Sequence, residues 1–138
     1  ITVTGTSTLT GAVSAPAGIT GNVTGNVTGT VTGSLIVASA TVAATGSDQA
    51  GAAAVTTGFT LVSAADDAKG VKLPTAVAGS VCIIKNNVSA KILKIYPFSG
   101  DAINAIIANS SFDIAGLTSC VLVAYDATTW YSVPLLPS

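Results

Sequence analysis

Asp66 and Asp67 are the only adjacent carboxylates in this 138-residue chain, and Lys69 and Lys72 follow them closely. Paired carboxylates can hold a divalent cation or act as acid and base across a glycosidic bond. Neighbouring residues on a strand point to opposite faces, so the pair reads instead as a solvated loop with local turn hydrogen bonds. Cys82 and Cys120 are the only thiols, and there is no histidine. The chain therefore lacks a Ser-His-Asp or Cys-His pairing for nucleophilic catalysis and the mixed Cys and His set of an ordinary zinc site. Both cysteines lie in apolar runs, Val81-Cys82-Ile83-Ile84 and Cys120-Val121-Leu122-Val123-Ala124-Tyr125. They are expected as small core residues, with a disulfide open only if their strands are neighbours. No enzyme activity, cofactor or metal is expected.

Trp130 and Tyr131, with Tyr125, Tyr96 and Phe98, offer aromatic faces of the kind that stack on sugars. The commoner arrangement in a strand is Trp130 inward and Tyr131 outward, which breaks such a platform. Four Asn-x-Ser/Thr sequons occur, at Asn22, Asn26, Asn87 and Asn109, but the first two are products of a repeat and glycosylation is discounted.

The elements that position these residues begin with that repeat. From Ile1 to Val37 the odd positions are apolar or small and the even positions are mostly Thr, Asn or Ser, which gives one dry and one wet face. Such a run would extend about 120 Å at ~3.3 Å per residue, too long for one small domain to bury. Within it, Ile19, Val23, Val27, Val31 and Leu35 alternate with Gly21, Gly25, Gly29 and Gly33. Recurrent glycine in a strand signals close approach of another backbone. A single-chain solenoid needs a repeat of roughly 20 residues, and four residues cannot make one coil. Several chains meeting at one axis satisfy the pattern, and those nine residues are the expected trimer interface.

The hydrophobic content is 49 %, yet no apolar run approaches the ~20 residues that span a bilayer, so a soluble chain and no membrane partner are expected. The stretch from Ile1 shows no basic region followed by an apolar core, so no secretory signal is expected there. A net charge of −1, with five Lys, six Asp and no Arg, gives no field for nucleic acid. The segment from Ala43 to Ala54 breaks the alternation and reads as a hinge.

Beyond Gly58, short β runs are expected at Phe59–Ser63, Ser80–Lys85, Ala90–Tyr96, Ser110–Ile114, Ser119–Tyr125 and Thr129–Val133. Asn86-Asn87 reads as a tight hairpin, Pro97 to Asp101 as a turn, 101–109 as a loop, and Asp126-Ala127-Thr128 as a second hairpin. The expected fold is all-β. An extended, intertwined trimeric β shaft over 1–45 is followed by a linker over 46–57. A small antiparallel β-sandwich or jelly-roll-like domain then occupies 58–138.

Four segments form an ordered series: Gly70 to Pro74, Ala78 to Asn87, Lys94 to Asn104, and Tyr125-Asp126-Ala127-Thr128-Thr129-Trp130-Tyr131. Together they resemble a β domain of tailed-bacteriophage virion proteins, found in capsid decoration, head-fibre and tail-fibre modules. The Gly/Thr/Val repeat separately resembles the trimeric β shafts of phage fibres and spikes. The resemblance implies a homotrimer, made in the bacterial host cytoplasm, that binds the major capsid protein as a cement on the capsid surface of the virion. A tail-fibre or tailspike module for host attachment is the alternative it implies.

Overall fold

The computed structural model describes residues 37–133, and every regular element among them is a β-strand. The described residues belong to the compact unit Leu35–Ser138. All-β is what the sequence predicts.

The strands are β1 Ser39–Ala43, β2 Ala53–Ala54, β3 Phe59–Ala64, β4 Gly70–Lys72, β5 Val81–Asn86, β6 Leu93–Tyr96, β7 Ala102–Ile103, β8 Phe112–Ile114, β9 Ser119–Ala124 and β10 Thr129–Val133. They build two sheets, ordered β1-β3-β5-β9-β10-β7 and β2-β4-β6-β8. From β1 to β6 the chain alternates between the sheets, and each strand lies parallel to the one a coil earlier. Ser39 pairs with Phe59 and Phe59 with Ile83, so successive coils advance by about 20 residues, as in a solenoid. The chain then reverses: β8 closes antiparallel on β6, β9 antiparallel on β5, and β10 antiparallel on β9.

The alternation of each strand decides its face. Val62, Ile84, Leu122 and Trp130 of the larger sheet and Val71, Leu93 and Ile95 of the smaller one are fully buried in a single cluster between the sheets. Each such aliphatic side chain contributes about 1.5–3 kcal/mol by leaving water. Asn86 is buried among the polar residues of the interior, with Thr60 and Asp101. Its Nδ2 donates to Lys91 O at 2.8 Å and Ala115 O at 3.2 Å, and its Oδ1 accepts from Val88 N at 3.1 Å. A buried amide with those partners holds two loops to the end of β5.

Several expectations are corrected by this topology. The pairing in the C-terminal part is mixed rather than an antiparallel sandwich, because β3 and β5, and β4 and β6, run parallel. Asn86-Asn87 is a corner between sheets and not a hairpin, since β5 and β6 belong to different sheets. The short strands β1, β2, β4 and β7 were not anticipated, and β7 lies within 101–109, where a loop was expected. β1 lies within 1–45 yet pairs with β3, and 46–57 contains β2, which pairs with β4. The hairpin at Asp126 is present: Asp126 Oδ1 accepts the amides of Thr128 and Thr129, both at 2.8 Å, and Trp130 pairs with Ala124.

Candidate functional site

Asp66 and Asp67 sit in the exposed turn between β3 and β4. Asp66 Oδ1 accepts from Ala68 N at 3.2 Å and Lys69 N at 2.9 Å, while its Oδ2 pairs with Lys69 Nζ at 2.8 Å. Hydrogen bonding from Lys69 holds the Asp66 carboxyl down at about 2. Asp67, at a φ of 72°, turns the other way: Oδ1 accepts from Ile92 N at 2.8 Å and Oδ2 from Lys91 Nζ at 2.7 Å. The bond from Lys91 lowers its pKa, and Asp67 in turn raises that of Lys91. The two carboxylates diverge, each with its own lysine, as a turn of solvated loop residues requires. Asp67 fastens one coil to the next, while Asp66 closes its own turn. Among the described residues, no group of three or more Cys or Asp side chains converges to hold a metal ion.

Cys82 and Cys120 lie on adjacent strands, buried, as free thiols. Cys82 stands opposite Leu122 and Cys120 opposite Ile84, so the two are diagonal rather than direct partners. Burial raises the pKa of Cys82 and pushes that of Cys120 up to about 12. Neither thiol is a nucleophile at neutral pH.

The aromatic residues are dispersed. Trp130 is inside, Tyr131 outside, and Tyr96 lies in the smaller sheet with its hydroxyl donating to Ser47 O at 3.0 Å. Only Tyr125 and Tyr131 meet, edge to face, with ring centroids 5.9 Å apart. The Trp130 indole N–H has no hydrogen-bond partner, alone in this among buried side-chain polar atoms of the described residues.

Sequence reasoning missed a shallow, open groove of about 620 Å³ lined by Ser47, Asp48, Gln49, Tyr96, Asn109 and Ser110 among others. Gln49 Nε2 crosses it to Pro97 O at 3.0 Å and Asn109 Oδ1 at 2.9 Å. Residues so distant in sequence carry no shared local signal. The proposed interface residues Ile19, Gly21, Val23, Gly25, Val27, Gly29, Val31, Gly33 and Leu35 lie outside the described residues.

In comparisons with protein-family models, curated proteins and solved structures, nothing matches this chain. What the described residues define is an all-β protein of solenoid-like stacked sheets.

Proposed function

We propose that this chain is a homotrimeric structural protein of a tailed-phage virion, a decoration protein that binds the assembled capsid and cements it. The observation that carries the reading is the tetrapeptide repeat over 19–35, where Gly alternates with Ile, Val or Leu on one face. In this reading the repeat forms an intertwined three-chain β shaft, with glycines as the gaps that admit neighbouring backbones. The resemblance of 58–133 to phage virion β domains supports the virion setting. The dispersal of carboxylates, thiols and aromatics favours a structural role over chemistry. Three identical contacts spread over neighbouring capsid subunits give avidity without a single strong site. Binding the lattice and not free subunits stabilises the shell by mass action.

A tail-fibre or tailspike module is the second reading. It is favoured by the open groove beside Gln49 and Asn109, where the hydroxyls of Ser110 and Ser111 and the Asp48 carboxylate suit sugar hydroxyls. The test is the native mass of the full chain together with its binding to empty capsids and to isolated tails. A trimer that coats capsids is expected. A trimer that ignores capsids and binds tails moves the assignment to a fibre, and a monomer refutes the trimer. Within the shaft, Val27→Asp brings three carboxylates to a dry axis and is expected to dissociate the trimer.

A further inference from the structure

The larger sheet ends at β7, and the outer side of an end strand is ordinarily a row of free amides and carbonyls with which a second chain can pair. Here the row is filled from within. Ala102 N donates to Thr128 O and Asn104 N to Trp130 O, so residues 102 and 104 turn their backbone groups to β10, and residues 101 and 103 turn theirs outward. Asp101 N donates to Phe98 O at 2.9 Å, Asp101 O accepts Asn109 N at 3.1 Å, and Ile103 O accepts Ile106 N at 3.1 Å. The loops on either side of β7 thus fold back onto the edge of their own strand.

β10 outruns its neighbour. It has five residues against the two of β7, which pairs only with Thr129 and Trp130. Trp130 faces β7, so Ser132, two residues on, presents its amide to the same side. A continuing parallel strand would meet that amide with the backbone carbonyl of Asn104. Asn104 instead turns off at a φ of 55°, a left-handed conformation that asparagine tolerates. Its side chain stands in for the missing strand: Oδ1 accepts Ser132 N at 3.0 Å, and Nδ2 donates to Ser132 Oγ at 3.0 Å.

We propose that the Asn104 side chain is a strap that keeps β10 closed to strand addition by a second copy of this chain. A strand docking at this edge needs Ser132 N as its donor, and the strap holds that donor. Strand addition works through backbone groups that every β-strand carries, so a chain built of strands is its own nearest source of them. The strap is independent of the proposed trimer and of the virion role, because growth is read against the wild type whatever its mass.

The test uses the full chain. Asn104→Gly removes the amide and keeps a residue suited to positive φ, with Trp130 fluorescence reporting the core. Hydrogen exchange at Ser132 N is expected to speed up about tenfold, while that at Leu122 N is unchanged. Sedimentation over a concentration series is expected to show larger species for Asn104→Gly than for the wild type. Asn104→Gly/Ser132→Pro deletes the freed donor and is expected to return to the wild-type mass, since proline is tolerated where an edge amide faces outward. Equal masses for Asn104→Gly and wild type at every concentration overturn the proposal. So does growth that Ser132→Pro leaves in place, because such growth comes from unfolding and not from the edge. The wild type gives a readout that needs no variant: exchange of Ser132 N as fast as in a free peptide shows that the strap does not hold it and ends the proposal.

Discussion

Asp67 reaches from the turn after β3 to Lys91 in the turn after β5, accepting its Nζ at 2.7 Å while also accepting the Ile92 amide at 2.8 Å. Two successive coils are joined at one corner by a single carboxylate. Asp66, bound to Lys69 beside it, braces the same turn locally.

This arrangement predicts an acid-sensitive stability. The pKa values of Asp66 and Asp67 are depressed in the folded chain, Asp66 to about 2, against ~3.9 for an unperturbed aspartate. Depressed folded pKa values mean a contribution fully present above the unfolded value and lost as pH falls through the folded one. Urea melts are expected to show stability falling between about pH 4 and 2. Asp67→Asn, which keeps a side chain suited to positive φ, is expected to flatten that fall; an unchanged slope counts against the clamp.

Lys91 supplies the opposite limb. Its pKa is raised, chiefly by its bond to Asp67, so its contribution is present below the unfolded lysine value and disappears as pH rises through the folded one. Alkaline melts of wild type and Lys91→Met are expected to converge above that range and to separate below it.

Asn86 is a second structural hinge point. Asn86→Ala leaves the Lys91 and Ala115 carbonyls and the Val88 amide without their buried partner. Unmet groups of this kind cost about 1–3 kcal/mol each. The variant is expected to lose about 3 kcal/mol in urea denaturation; a change under about 1 kcal/mol would show that water replaces the amide.

The two thiols are expected to be silent in the folded protein. A thiol reagent at pH 8 should find neither Cys82 nor Cys120 until urea unfolds the chain, and then both. Rapid reaction of the native protein contradicts their burial, and absence of reaction after unfolding reveals a disulfide.

Gly70 lies under the Tyr96 ring: a Cβ there would stand 2.7 Å from Tyr96 Cε2 and 2.7 Å from Lys94 O. Gly70→Ala must displace the ring that anchors Ser47, and overpacking of this kind costs about 1–3 kcal/mol. Thermal melts are expected to show the loss, and Gly70→Ala combined with Tyr96→Phe is expected to lose no less, because the ring itself remains.

How much was legible follows from the range of each interaction. Residue alternation placed β5, β8, β9 and β10 closely, put Trp130 inside and Tyr131 outside, and buried both cysteines, because alternate residues of one strand necessarily face opposite sides. The turn at Asp126 was legible because its hydrogen bonds span three residues. The strands β1, β2, β4 and β7 were not, being short and paired in parallel with partners about 20 or more residues away, where no tight turn leaves a mark. Only the tertiary structure could make Asn86-Asn87 a corner, give Asp67 its lysine from the next coil, and bring Gln49 to Asn109. By itself the sequence determined an all-β chain without the residues for His-based catalysis and a repeat in one unbroken phase. Tertiary structure decided which strands became neighbours, because parallel register is set by the packing of distant side chains and not by the residues beside each strand.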